Sequence, residues 1–277
     1  MRGGIDVCDC GELSMAVHST AIISKKAKIG LRVEVGPYSV IGDNVAIGDN
    51  CKIHSHVVID GNTSIGGDCQ IFKGASLGGI PQDLKYKGEK AFLEIGDGNI
   101  IREFCTFNTG STEGSKTVIG QGNLFMAYCH VGHDSLVGNN CVIANSAAIA
   151  GHVVIEDRAV VGGIVAIHQF VRVGKLSIIG GCSKVVQDIP PYSTCDGHPA
   201  EVYGLNLVGL RRQNISRESI KALDHAFRIL FNKGLSMKHA LEELSKETNV
   251  TAEITDVIDF IKKTERGISR SCRGKSN

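Results

Sequence analysis

The chain contains no tryptophan, and aromatic residues make up only 5% of it. It has no excess of either charge: 30 Lys and Arg stand against 29 Asp and Glu, a net of +1. Without a whole-surface field the protein gathers neither nucleic acid nor an anionic membrane, so any anionic ligand must be held by a few local basic groups. No stretch approaches the roughly 20 consecutive apolar residues of a helical membrane span. The double CxxC of a zinc ribbon is missing. Disorder is also excluded, because hydrophobic residues make up 42%. Glycine and cysteine are plentiful, at 34 and 10. Five of the cysteines (Cys51, Cys69, Cys105, Cys129 and Cys141) share one repeating slot, where they read as small buried apolar groups in a reducing compartment. Cys8 and Cys10 fall in an irregular leader, residues 1–15, where they read as surface thiols.

The repeat decides the fold class. From Ile23 every sixth residue is aliphatic, through Ile29, Val35, Ile41, Ile47, Ile53, Ile59, Ile65 and Ile71 to Leu77. The slot two residues earlier takes Ala21, Ala27, Val33, Ser39, Val45, Cys51 and their like. The register lapses, returns at Ile95, Ile101 and Phe107, lapses again, and runs from Ile119 to Val185, for 25 hexads in all. A period of six suits neither an α-helix nor an alternating strand. It suits a triangular coil in which each hexad is a short strand plus a corner. The aliphatic points inward, and the glycine that often follows it, as in Ile29-Gly30 and Val35-Gly36, is expected to make the turn. Three hexads close a coil of 18 residues, so 25 hexads give about eight coils of stacked parallel strands, about 4.8 Å apart. The expectation is a mainly β protein: a parallel β-helix over residues 16–192, projecting loops at 80–92 and 108–116, and a helical domain over 193–277. In that last part Ser216, Ser236 and Thr251 are candidate N-caps. Ile220, Leu223, Ala226, Phe227 and Leu230 line one face of a helix ending near Gly234. From Glu201 on, 14 basic and 10 acidic residues give +4, which leaves the solenoid at −3.

In such a coil, residues 18 apart sit on neighbouring rungs. Asp134 then neighbours His152, His133 neighbours Gly151, and Ala150 neighbours His168. Taken singly, an outward His152 or His168 is solvated surface, and for His130, next to the inward Val131, a packing role stands level with a ligand role. Together they place three histidines and a carboxylate on one edge. One reading is zinc held by imidazoles, as in γ-class carbonic anhydrases, with ligands from two subunits. Another is a histidine general base, with Asp134 holding its tautomer and the Gly151 N–H stabilising an oxyanion. The third is a solenoid scaffold without catalysis.

The runs GGIPQDLKYKGEKAFLEIG, AYCHVGHDSLVGNNCVIAN, AGHVVIEDRAVVGG, AIHQFVRVG, IIGGCSKVVQDIPPY and GLNLVGLRR resemble, in order and over roughly 16–268, the UDP-N-acetylglucosamine 3-O-acyltransferase (LpxA) family. The resemblance implies a left-handed coil, a homotrimer with sites between prisms, and no metal or cofactor. It implies transfer of a 3-hydroxyacyl chain from acyl carrier protein to the 3-hydroxyl of UDP-N-acetylglucosamine, the first step of lipid A synthesis. By it His133 is the base, Asp134 orients it, and Gly151 supplies the oxyanion N–H. Asp83 and Lys85 hold the sugar and its phosphate region; His130, His152, His168 and Gln169 line the sugar site; Asn206 and Arg212 hold the nucleotide. Gly181, in the GGCS run, is the acyl-chain ruler. The chain departs from the family at Asn108-Thr109-Gly110-Ser111, where HRGT is usual, and at Val208, where Glu is common. Plants carry organellar members, so the leader reads as the remnant of a transit segment and the expected compartment is the mitochondrion, with a bacterial cytoplasm as the alternative.

Overall fold

The computed structural model describes residues 5–6, 16–232, 234–247 and 251–270. Its backbone follows the hexads. Short strands such as Val40–Ile41 and His130–Val131 end on the periodic aliphatic. Successive strands go to three sheets in turn, which closes each coil into a triangle. Within a sheet the rungs are parallel and 18 residues apart, as in Val40↔Val58 and Ile41↔Ile59. In the leader, Ile5–Asp6 pairs antiparallel with Ala16–His18, while Cys8 and Cys10 lie outside the described residues.

The aliphatic ladder fills the prism. Ile59, Ile71, Leu77, Ile101 and Ile143 have no exposed surface. Burying each side chain of this size contributes about 1.5–3 kcal/mol. Phe107 and Phe125 meet edge to face, their ring centroids 4.8 Å apart. The five repeat cysteines are buried as expected, but they are more than apolar filling. Cys51 donates its thiol to the Gly66 carbonyl at 3.1 Å, the bond that Ser39 makes to the His54 carbonyl at 2.7 Å. Ser and Cys therefore serve this slot interchangeably.

The corners differ from the sequence expectation. Apart from Gly78, which opens the first loop with φ of 82°, the glycine after the aliphatic does not take the left-handed conformation. That falls two residues later, on Arg32, Tyr38, His56, Asp134, His152 and their equivalents, with φ between 54° and 65°. The glycine is needed because the next coil crosses it: a Cβ on Gly36 would lie 2.8 Å from the His54 carbonyl carbon. Positive φ costs a residue with a side chain about 1–2 kcal/mol, which the stacked rungs over-determine.

Across the loops the step changes. Asn62 pairs with Phe92 and Phe92 with Lys116, steps of 30 and 24 residues in place of 18. After Val185 the coil ends on a hairpin, Ser193–Gly197 with Ala200–Leu205, which prolongs the sheet that contains Ile178–Ile179. The helical part thus starts later than residue 193, with α1 (Leu207–Arg212), then α2 (Arg217–Phe227), α3 (Met237–Leu244) and α4 (Ala252–Lys262). Ser216, Ser236 and Thr251 cap α2, α3 and α4 as expected, and a π-helical turn, Arg228–Asn232, follows α2.

Candidate active site

His133 and Asp134 are consecutive, and ordinarily such side chains diverge. Asp134 sits at a corner with φ of 59°, and this turn brings its carboxylate back to its neighbour. Asp134 Oδ2 lies 2.8 Å from His133 Nδ1. A carboxylate only accepts, so the shared proton belongs to Nδ1 and leaves Nε2 as the basic nitrogen. Asp134 is fixed from the other side as well. The Ser111 hydroxyl and backbone N–H both donate to Oδ2, at 2.6 and 3.1 Å. Its own N–H donates to Thr117 Oγ1 at 2.8 Å. Burial alone would raise the Asp134 pKa, but hydrogen bonds from Ser111, Ser115 and His133 outweigh it and hold the carboxyl below the usual range. It therefore stays ionised at neutral pH.

The free edge of His133 faces Gly151. A Cβ on Gly151 would lie 2.6 Å from His133 Cε1 and Nε2, so only glycine fits. The Ala150–Gly151 peptide is held from inside the prism, where the buried Ser135 hydroxyl donates to the Ala150 carbonyl at 2.9 Å. In a trans peptide C=O and N–H point in opposite directions, so an inward carbonyl turns the Gly151 N–H outward. At the matching step of another corner this N–H is bound by an Asp or Asn side chain one coil on, as in Leu31 to Asp49 and Gln121 to Asn139. At Gly151 the corresponding residue is Gln169, and among the described residues its side chain makes no such bond. Gly132 clears the approach, since a Cβ there would lie 2.8 Å from the Gly151 nitrogen.

These groups open onto a groove of about 380 Å³ whose lining includes Gln82, Asn108, His130, His133, Gly151 and Gln169. His130 Nδ1 is 2.8 Å from Thr106 Oγ1. Burial lowers its pKa below the ordinary 6.5. The unfolded chain thus takes up a proton before the folded one does, so stability from neutral His130 is full above that value and declines as pH falls toward the folded pKa. His130→Gln is expected to flatten the fall in Tm between about pH 7 and pH 5. Identical Tm profiles for variant and wild type would contradict this.

The other expected residues do not all converge. His152 does: it lies edge to face with His133 at 5.1 Å, stacks on Phe170 at 4.6 Å, and its Nε2 is 3.8 Å from Asp134 Oδ2. His168, expected in the same cluster, does not join it. Its residue is exposed, and its Nδ1 is 3.2 Å from the Gln169 carbonyl. On the first loop Asp83 accepts from the Lys85 N–H at 2.9 Å, and the Lys85 side chain is exposed. Asn206 uses both ends of its amide in the fold, capping α1 at the Gly209 N–H and donating to the Leu176 carbonyl at 2.9 Å. Arg212 is exposed in α1. Gly181 follows the strand Ile178–Ile179 and Gly151 follows Ala148–Ile149, two different sheets, so they occupy different corners of the prism. Gly181 follows His133 by 48 residues, which is not a multiple of 18. Sequence reasoning missed Thr106, Ser135 and the groove-lining Gln82. It noted Asn108 and Ser111 only as departures.

His133, Asp134 and His152 offer ligand atoms within 4.8 Å of one another, the grouping that the zinc reading requires. His133 Nδ1 is bonded to Asp134 Oδ2, which is the shared acceptor of three donors, and His133 Nε2 stays open.

The acyl-[acyl-carrier-protein]--UDP-N-acetylglucosamine O-acyltransferase of Thiobacillus denitrificans is 49% identical over 92% of this chain and 99% of its own length. The chain belongs to this acyltransferase family. The enzyme of the same name from Paraburkholderia phymatum is 50% identical over 92% of this chain and 99% of its own. The family model described as Udp N-acetylglucosamine O-acyltransferase, Domain 2, matches residues 188–269, and the bacterial transferase hexapeptide model matches 26–61 and 116–151. Among solved structures, LpxA from Bacteroides fragilis superposes with a TM-score of 0.89 at 43% identity, covering 91% of this chain and 99% of that one. The Arabidopsis UDP-N-acetylglucosamine acyltransferase gives 0.84 at 36% identity, covering 91% of this chain and 99% of that one. The fold is thus the left-handed parallel β-helix with a C-terminal helical domain. Among the described residues no helix is long and apolar enough to cross a membrane.

Proposed function

We infer that the protein transfers a 3-hydroxyacyl chain from its thioester on acyl carrier protein to the 3-hydroxyl of UDP-N-acetylglucosamine, the first step of lipid A synthesis. The observation that carries this is the arrangement at one corner: His133 tied through Nδ1 to Asp134, with its opposite edge turned to the outward Gly151 N–H. Nε2 takes the proton of the sugar hydroxyl as that oxygen attacks the thioester carbon. A C–O bond forms, the carbonyl electrons move onto oxygen, and the Gly151 N–H holds the resulting oxyanion. Its collapse breaks the C–S bond, and the departing thiolate recovers the proton from His133. Asp134 stabilises the imidazolium between these steps. His152 and Gln169 bound the sugar, and His168 meets it only from the groove's outer rim. Asp83 shapes the turn that carries Lys85. Lys85 and Arg212 meet the phosphates, and Asn206 supports Arg212 by capping α1.

The placement of Gly181 supports a homotrimer. An acyl chain reaching from His133 to Gly181 would pass from one corner of the prism to another, along a face that a neighbouring copy would cover. Gly181 has no positive φ, and a Cβ there would meet only Gly163, its carbonyl oxygen at 3.3 Å. The backbone therefore does not require glycine, which favours a role in admitting a long acyl chain. Gly181→Met is expected to shift selectivity to shorter donors, by roughly fourfold in kcat/KM per excluded methylene at about 0.8 kcal/mol each. A uniform loss at every chain length would contradict the ruler.

The test of the reaction is acyl transfer to UDP-N-acetylglucosamine by purified protein, before and after treatment with a zinc chelator. Transfer that survives chelation is the expected result. Activity lost to the chelator and restored by zinc would favour the carbonic anhydrase reading. The relatives named above are bacterial apart from the one from Arabidopsis, and they lend the mitochondrial placement no support.

A further inference from the structure

Asn108 is the most informative residue of the groove that the reaction does not use. It is 7% exposed and stands one coil before the catalytic rung, because Thr106 pairs with His130 and Phe107 with Val131. Continuing that register sets Asn108 against Gly132, which has no side chain to separate it from the ground beside His133. Its Nδ2 donates to the Ile80 carbonyl at 2.8 Å and reaches the Gly79 carbonyl at 3.4 Å. Both partners are acceptors, so the amide cannot be flipped and its other end is the oxygen. That oxygen is buried and, among the described residues, accepts no hydrogen bond. Unpartnered buried carbonyls are uncommon in folded proteins because their desolvation goes uncompensated. One that lines the groove of a general base is an acceptor held ready for a donor that arrives with the substrate.

We propose that Asn108 Oδ1 accepts a hydrogen bond from the acceptor sugar, from one of the two donors that flank the reacting 3-hydroxyl: the 2-acetamido N–H or the 4-hydroxyl. The proposal rests on UDP-N-acetylglucosamine being the acceptor. Asn108 acts here as a specificity-determining residue. It moves no proton. By anchoring Nδ2 to the first projecting loop, the fold fixes the direction of the oxygen before substrate enters, so the bond is made without reorganisation. A site that pairs a substrate donor discriminates strongly against the analogue lacking it, since the buried acceptor is then left alone.

The experiment compares kcat/KM of wild type, Asn108→Ala and Asn108→Asp on three acceptors: UDP-N-acetylglucosamine, its 4-deoxy analogue, and the analogue with a 2-O-acetyl ester in place of the amide. Wild type is expected to lose about 10- to 100-fold on one analogue only. Asn108→Ala is expected to lose a similar factor on UDP-N-acetylglucosamine and little more on that same analogue, with KM for the acyl carrier unchanged. Asn108→Asp, which retains an acceptor oxygen, should fall between the two. Equal losses for Asn108→Ala on all three acceptors would overturn the proposal and leave Asn108 as a loop anchor. Failure of wild type to acylate UDP-N-acetylglucosamine at all would overturn the functional reading, and this proposal with it.

Discussion

His133→Ala should leave the β-helix folded and reduce kcat by roughly 10² to 10⁴, the scale of losing a positioned general base. The fold has little at stake in this side chain. His133 lies on the outer side of the coil, between inward Val131 and the small-slot Ser135, and its imidazole is hydrogen-bonded to Asp134. Removing the imidazole leaves Asp134 with the two Ser111 donors, so the carboxylate keeps partners and the second loop stays in place. Tm should therefore change little while turnover collapses. KM for either substrate should move far less than kcat, because the lost interaction belongs to the transition state. The variant is checked by steady-state kinetics alongside thermal unfolding. A His133→Ala protein that turns over near the wild-type rate would remove the base from the mechanism.

Gly151→Ala should be nearly as damaging for a single added methyl group. Its Cβ would sit 2.6 Å from His133 Cε1 and Nε2, where ordinary contact begins at 3.4 Å. The ring has to move, yet Asp134 and Ser111 hold it from behind, so it leaves its catalytic position. The same methyl group would fill the space in front of the outward N–H. Loss of an oxyanion donor alone costs about 10² to 10³ in kcat. Gly151 has no positive φ, so alanine brings no backbone penalty and stability should hold. Gly163→Ala is the matched control: it occupies the same step of another corner, and its Cβ would meet only the Asn145 carbonyl oxygen at 3.3 Å. Near-normal kcat in Gly151→Ala, measured beside that control, would show that the corner is not where acyl transfer occurs.

The ladder was legible because each inward aliphatic is decided by burial, which the residue type reports directly. Every periodic aliphatic from Val35 to Val185 is indeed buried. The corners were misread because turn chemistry favours glycine at positive φ, whereas here the stacked coils force Tyr38, Phe104 and Ile164 into it. The His133–Asp134–His152 cluster followed from adding 18, since no loop lies between those rungs. Ser111, Thr106 and Asn108 did not follow. The second loop adds six residues to the step, so Ser111 reaches Asp134 across 23 positions and Thr106 reaches His130 across 24. A fixed 18-residue rule cannot find those pairs.

The central claim is most directly tested by the structure of the product. Purified protein is incubated with UDP-N-acetylglucosamine and a 3-hydroxyacyl carrier protein, and the sugar nucleotide is examined by NMR for the position of any new ester. The account predicts a 3-hydroxyacyl ester on O3, formed one for one with free carrier thiol and nearly abolished in His133→Ala. An unmodified sugar, an acyl group at another position, or an O3 ester formed equally well without His133 would contradict it.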